Sequence, residues 1–258
     1  MLEQARALSL VRGQSWHHDF EIIPGVRTQG NDDPSAMRDE LNLPADMTGS
    51  TLADVGASNG FFSFQARQRG AKVVSFDFRN KDNSGFGLAQ HINGLSDIEH
   101  HQVNVLDLDA KQYGQFDTVL ALGLPQHISD PYLALANCAA LSRSRLLVES
   151  YCIDPLLAPE VAAQPIMRFI YDAQRFPARG QPNADPSNFW GFTAACLASM
   201  VEDVGFEVKT LNVRGDRVLI DAQRAMDASA TRQGIAYGQV PHQPVSGDPN
   251  DPKNWRVF

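Results

Sequence analysis

A carboxylate followed at once by spaced glycines is the first arrangement in this sequence with chemical consequences. In Thr51-Leu52-Ala53-Asp54-Val55-Gly56-Ala57-Ser58-Asn59-Gly60, a short apolar run carries Asp54, turns, and opens into Phe61-Phe62-Ser63-Phe64. A strand–turn–helix of this kind places a ligand pocket at the carboxyl edge of a sheet, with free helix N–H groups facing it. Asp54 would repel a pyrophosphate there. A ligand bearing both an ammonium and a carboxylate suits the site: Asp54 attracts the cation and the helix N-terminus takes the anion. Asp54, Gly56 and Gly60 would hold such a ligand, with Ala57, Ser58 and Asn59 lining the turn. Asp77 ends the next apolar run; a carboxylate in that place accepts two adjacent hydroxyls or caps a turn.

Further along, His127 is the best candidate for catalysis. It follows an apolar run, can be neutral near physiological pH, and can take a proton from a hydroxyl. The duller alternative is a histidine bonded to its own loop. Glu149 ends the following run, where it would orient His127, bind a substrate hydroxyl or help hold a divalent cation. A pairing with a nearby arginine explains it equally well. His17, His18, Asp19 and Glu21 form an earlier cluster able to close over a pocket and supply a metal ligand or substrate contact. Most such clusters are simply solvated.

These residues need elements to position them, and hydrophobic periodicity supplies those elements. Strands are expected at Thr51–Val55, Lys72–Phe76, Glu99–Val105, Phe116–Leu122 and Arg145–Val148. Between them lie a helix from Phe61 to Arg69, stopped by Gly70, and a helix from Pro131 to Leu141, capped by Asp130. Arg79–Gly94 reads as a loop with a short helix near Leu88–Ile92. This rhythm is that of a doubly wound α/β sheet, mostly parallel. Residues 151–190, rich in proline, break the rhythm and suit a lid-like insertion over a substrate. Thr193 caps a helix over Ala194–Val204, and Phe206–Val213 with Arg217–Ala222 forms a hairpin. The division expected is a cap segment at 1–48, a main domain at 49–222 and a surface arm at 223–258.

Composition narrows the partners. The 22 basic and 30 acidic residues leave a net charge of −8, which repels polyphosphate and disfavours nucleic acid. Arg143 and Arg145 read as a solvated helix end. Cys138, Cys152 and Cys196 are widely spaced and odd in number, as buried thiols in a reducing compartment are. No stretch approaches membrane-spanning length and the amino terminus lacks a leader-like apolar run, so the expected setting is the cytoplasm. Oligomeric state stays open, a homodimer included.

Strand, acidic residue, glycine turn, helix, a second strand ending in Asp77 and a terminal hairpin together resemble the class I S-adenosylmethionine-dependent methyltransferases. The likeness covers roughly residues 50–222, and S-adenosylmethionine is a ligand of the zwitterionic kind inferred above. It narrows toward tRNA wobble-uridine methyl- and carboxymethyltransferases and related bacterial sugar and natural-product O-methyltransferases. Trp16-His17, the run from Gly25 to Gly30, Gly114-Gln115-Phe116-Asp117, the run from Gly123 to Pro131, Leu147-Val148-Glu149 and Trp190-Gly191-Phe192-Thr193 carry that narrower likeness.

The resemblance implies a Rossmann-like, seven-stranded sheet with a lid insertion. Asp77 would hold the ribose, and Phe78 would pack on adenine. Asn104, Val105 and Leu106 would lie beside the adenine ring, with Asp107 as a competitor. Leu122 and Gly123 would give close backbone approach. Gln126, His17, Tyr151, Trp190 and Phe192 would contact a small-molecule acceptor. Three departures stand out: Ser58 replaces a glycine and so must avoid glycine-only geometry, Gln126 replaces an aromatic residue, and Asn104 replaces an acid. Methylation of a hydroxyl on a small polar metabolite is the expected activity. tRNA wobble-uridine modification and a non-catalytic, cofactor-binding regulatory role are the alternatives.

Overall fold

The computed structural model describes residues 2–170, 185 and 187–225. The arm expected at 223–258 lies outside the described residues from 226 onward, as do 171–184 and 186 of the insertion. The chain opens with helix α1 (Leu2–Arg12), a small antiparallel ribbon of β1 (Glu21–Ile23) and β2 (Val26–Arg27), and the short helix α2 (Ser35–Glu40).

The main domain then alternates β3 (Thr51–Val55), α3 (Phe61–Gln68), β4 (Lys72–Asp77), α4 (Lys81–Ser84), α5 (Phe86–Asn93), β5 (Glu99–Gln102), α6 (Ala110–Tyr113), β6 (Phe116–Leu122), α7 (Pro131–Leu141) and β7 (Ser142–Tyr151). The polar stretch after Asp77 is more helical than its composition suggests: Asn80 caps α4, and Gly85 in a left-handed conformation separates it from α5. In the insertion, α8 (Pro159–Ala162) precedes β8 (Met167–Phe169), which pairs antiparallel with β9 (Trp190–Phe192). Thr193 caps α9 (Ala194–Asp203) through the Cys196 N–H, as expected, and the hairpin is β10 (Phe206–Arg214) with β11 (Arg217–Arg224).

Seven strands form one sheet in the order β10-β11-β7-β6-β3-β4-β5. β11 runs antiparallel to both of its neighbours; the other pairings are parallel. Apolar residues alternate between the two faces, as a sheet covered on both sides requires. Ala53, Val55, Val119 and Val148 enter one core cluster, while Leu52, Leu120 and Leu147 enter the other. The segment at 1–48 is more than a cap, because Val11, Trp16, Phe20, Val26 and Leu41 belong to the second cluster. Arg143 and Arg145 lie on β7, paired with Asp117 and Asp221, rather than at a solvated helix end. The three cysteines are free and buried. No helix among the described residues is long and apolar enough to cross a membrane.

From β3 the chain winds outward through β4 and β5, then crosses back to β6 and β7 on the other side. The strand order reverses between β3 and β6, and in open α/β sheets ligands bind beyond the carboxyl ends of the strands at such a switch point. Gly60 ends the turn after β3 with φ +87°, and a Cβ there would lie 2.7 Å from both Phe64 and Phe86. Gly60→Ala is expected to cost about 1–3 kcal/mol, from left-handed strain and overpacking. Chemical denaturation reads this directly, and equal stability would mean that the turn has another shape.

Candidate active site

The glycine turn is laced to β4 by its own backbone. Gly56 and Ala57 donate to the Phe76 carbonyl at 2.8 and 3.2 Å, Ser58 N donates to Asp77 Oδ2 at 2.8 Å, and Gly60 N donates to Ala57 O at 2.8 Å. The turn N–H groups that the sequence left to a ligand are therefore engaged within the protein. Ser58 also departs from expectation, since its φ is +50°. A left-handed non-glycine residue needs local support. Asp77 takes the Ser58 N–H, and the Arg79 guanidinium donates to Ser58 Oγ at 3.0 Å. Asp77 Oδ1 accepts the Arg79 N–H at 2.8 Å. Asp77 is buried at the end of β4 and caps this turn, the alternative reading of its position.

Asp54 lies beneath the turn, not in its mouth. Strand alternation puts it on the face of Leu52, opposite α3, where Ser63 Oγ donates to Asp54 Oδ2 at 2.6 Å and lies 2.8 Å from Ser75 Oγ. Only 2% of Asp54 is exposed. It ties β3 to α3 through Ser63, whose hydroxyl also meets Ser75 of β4.

Asn59 has a structural task that its place in the turn did not reveal. Its Oδ1 accepts the backbone N–H of His17 at 2.7 Å and of His18 at 3.1 Å, and its Nδ2 donates to the Ser84 carbonyl. The amino-terminal segment is thereby pinned over the turn. His17 lies close enough to Asp32, Arg79, His127 and Arg217 for their charges to act on it, and burial, the largest influence, lowers its pKa. Burial also pushes His18 down to about 3, so that ring is neutral.

Across the crevice, Glu149 is committed to Arg217. Its two oxygens meet the Arg217 guanidinium, and Oε2 also accepts the Gly123 N–H at 2.9 Å. Among the described residues no hydrogen bond joins it to His127; the arginine pairing, weighed from the sequence, is what forms. Gly123 turns the chain with φ +61°.

His127 is fixed by a chain of hydrogen bonds. Ser187 Oγ donates to Asp185 Oδ1 at 2.6 Å and so accepts from His127 Nδ1 at 3.1 Å. The Ser187 carbonyl, 3.2 Å from Nδ1, is an acceptor as well. The proton therefore sits on Nδ1, and Nε2 carries the lone pair. On the other side, Ser150 Oγ donates to Gln126 Oε1 at 2.9 Å, which turns the Gln126 amide nitrogen toward His127 Nε2 at 3.3 Å. Burial raises the Asp185 pKa, but its two Ser187 hydrogen bonds outweigh that, leaving it below the usual carboxylate range.

The remaining expected contacts divide. Phe78 is 69% exposed beside Asp77, open to a stacking ring. Asn104 is exposed, but its Oδ1 accepts the Leu106 N–H at 3.0 Å and caps a short 3-10 turn. Val105 is core, and Leu106 is half-buried against it. Leu122 is half-buried at the end of β6. Tyr151 and Phe192 are 3% and 0% exposed, so both pack the interior instead of walling an acceptor. Trp190 is half-buried, donates to the Ser129 carbonyl at 3.2 Å and meets Phe169 edge-on. Residues 187–190 dock on the His127 loop, with Phe189 N donating to Gln126 O at 2.7 Å.

The sequence reading missed Arg79, Ser187, Asp185, Arg217 and Ser63. Only Ser63 carried a local signal, as the one hydroxyl in a run of phenylalanines.

Burial lifts the Asp54 carboxyl from an ordinary 3.8 to about 6, the Ser63 bond pulling back and the Asp77 charge adding to the rise. The folded state holds this proton more tightly than the unfolded chain does. Stability from this group is full below about pH 4 and is lost as pH rises through about 6, a difference of up to about 3 kcal/mol. Asp54→Asn removes the dependence. Denaturation of both proteins across that window should show the variant gaining on the wild type as pH rises. A flat or falling difference contradicts the protonated carboxyl.

Comparison with known proteins agrees with this geometry. Residues 53–145 match a family model described as a methyltransferase domain. The chain is 29% identical over 104 residues to the ubiquinone biosynthesis O-methyltransferase of Neisseria meningitidis, covering 40% of this chain and 44% of that enzyme. The Bordetella avium enzyme of the same name is 31% identical over 99 residues, covering 38% and 41%. The chain thus spans less than half the length of the curated relatives it matches. Among solved structures, the N-terminal domain of EvdMO1 with S-adenosylhomocysteine bound aligns with a TM-score of 0.59 at 22% identity, covering 86% of this chain and 95% of that one. The same domain in the presence of S-adenosylhomocysteine and D-fucose gives a TM-score of 0.60 at 20% identity, with the same coverage. At these identities the structural likeness speaks for the fold. The sheet order and the structural likeness give this chain the fold of the class I S-adenosylmethionine-dependent methyltransferases, and its residues 53–145 match a methyltransferase domain.

Proposed function

We propose that this chain transfers the methyl group of S-adenosylmethionine to a hydroxyl of a small polar metabolite, a sugar or natural product, in the cytoplasm. The single observation that carries the reading is the chain Ser150–Gln126–His127–Ser187–Asp185. It leaves His127 Nε2 as a proton acceptor in the loop beyond β6, and an anionic end behind Nδ1 stabilises the imidazolium that forms. The 3.3 Å contact from Gln126 is long enough to be exchanged for an acceptor hydroxyl.

The residues at the switch point fit the cofactor. Gly56 and Gly123 both take positive φ, and a Cβ on Gly56 would stand 3.3 Å from Leu124, so bare backbone is needed where a ligand passes between β3 and β6. Asp77, on giving up Arg79, offers a carboxylate to two ribose hydroxyls, and exposed Phe78 offers a ring to adenine. Bound S-adenosylmethionine supplies a methyl on sulfonium, open to in-line displacement. The protein aligns the acceptor, takes its proton at His127 Nε2 and keeps Glu149 neutralised by Arg217. Segment 187–190 would cover the acceptor, with Trp190 and His17 at the mouth. The names of the O-methyltransferase relatives support a hydroxyl acceptor. The net charge of −8 favours a small molecule over nucleic acid and gives no reason to seek a membrane.

Methyl-labelled cofactor should put label into small hydroxylated acceptors and none into unmodified bulk tRNA. His127→Ala should lower kcat by about 100-fold or more while sparing S-adenosylhomocysteine binding. Asp77→Ala should weaken that binding by about tenfold or more, the worth of one charged hydrogen bond. Label in RNA would overturn the small-molecule reading in favour of wobble-uridine modification. Tight binding without turnover across acceptors would favour a regulatory cofactor-binding role. Undiminished kcat in the His127 variant would remove the base assignment.

A further inference from the structure

The amino-terminal segment is built more tightly than a cover requires. The Asn31 and Asp32 N–H groups donate to the His17 carbonyl at 3.0 and 3.1 Å, and Asp19 N donates to Asp32 O at 2.7 Å. Thr28, 1% exposed, takes the Phe20 N–H at 2.7 Å and donates to the His18 carbonyl at 2.7 Å. The two passes of chain touch so closely that a Cβ on Gly30 would lie 2.2–2.5 Å from His17 and His18 backbone atoms. This lacing brings His17, His18 and Asp32 together, each with a ligand-type atom within 4.8 Å of the others.

The distances within the cluster say more. His18 Nε2 stands 3.8 Å from Asp32 Oδ2. That is too long for a hydrogen bond, and two bonds of about 2.0–2.2 Å to one ion would span it at a wide angle. His18 Nδ1 is buried with no hydrogen-bond partner among the described residues. The His18 ring is wedged against Phe61 and Phe62 at 6.2 and 5.8 Å between centroids, which fixes its direction. His17 is exposed and can turn to close the remaining gap.

We propose that His17, His18 and Asp32 form a binding site for a divalent transition-metal ion. Two imidazoles and one carboxylate favour zinc, cobalt, manganese or iron over magnesium, and three protein ligands leave coordination positions open. The cluster is pinned by Asn59 to the glycine turn and feels the charges of His127 and Arg217 across the crevice. Open positions on the ion would take an acceptor's neighbouring hydroxyl oxygens near His127. That last role rests on the methyl-transfer reading; the ion site itself does not.

The test uses the full, untagged chain and Co²⁺ alone, followed by visible absorption. One Co²⁺ per chain, with the band of an N/O-ligated ion, is expected. His17→Ala and Asp32→Asn should each weaken binding by more than the roughly 10–100-fold that outer partners of a metal are worth. Both residues are exposed, so thermal melts and S-adenosylhomocysteine binding without metal should match the wild type. His91→Ala, on an exposed position of α5, serves as the control and should bind as the wild type does. No band in the wild type, a band that survives both variants, or equal loss in His91→Ala overturns the site. Metal binding and cofactor binding are read separately, so failure of one leaves the other intact.

Discussion

One carboxamide holds the crevice together. Asn59 sits at the last step before Gly60 and spends both ends of its side chain on other segments: two amides of the amino-terminal stretch and the Ser84 carbonyl between α4 and α5. Each bond is worth about 1 kcal/mol net, and a buried partner left without it loses about 1–3 kcal/mol. No hydrophobic contact could do the same, because the groups being gathered are backbone N–H and C=O. Through this side chain the glycine turn, the histidine-bearing segment and the helices after Asp77 share one position. The cleft therefore has a roof whose placement depends on the cofactor turn itself.

The opposite wall depends on charge neutralisation. A buried ion pair such as Glu149–Arg217 contributes little net stability, since desolvation offsets the attraction. Its value is positional. Glu149 holds the Gly123 N–H where β6 ends, and Arg217 reaches across from β11, so the loop bearing Gln126 and His127 starts from a fixed point. From there the amide of Gln126 and the hydroxyl of Ser187 select one tautomer of His127. A phenylalanine at 126 could pack but could not donate to Nε2, which gives the amide at that position a physical meaning.

The inner strands were legible in the sequence because each carries an apolar run, and α3, α7 and α9 each carry a start or stop. Gly70, Asp130 and Thr193 marked termini that the structure reproduces. The glycine turn and Asp77 were legible as a site for the same reason, since strand, carboxylate and glycine lie within a few residues of one another. What escaped depends on partners distant along the chain. Arg217 answers Glu149 from the far side of a hairpin, and Ser187 answers His127 from beyond the insertion. Ser63 answers Asp54 from across a helix and turns an apparent ligand contact into a buried prop. Ser58 was expected to avoid left-handed geometry, yet it adopts it, because Asp77 and Arg79 supply the compensation that a local reading does not include. Tyr151 and Phe192 read as pocket walls by type alone; strand pairing decides their direction and sends both inward.

Amide hydrogen exchange at His17 and His18, with and without S-adenosylhomocysteine, tests the shared position of roof and turn most directly. On the proposed reading S-adenosylhomocysteine seats against the turn that carries Asn59, so exchange at both amides should slow on binding, while the core of β6 and β7 stays unchanged. Ligand binding that leaves exchange at both histidines untouched would show that the roof and the cofactor turn are independent, and would contradict the account.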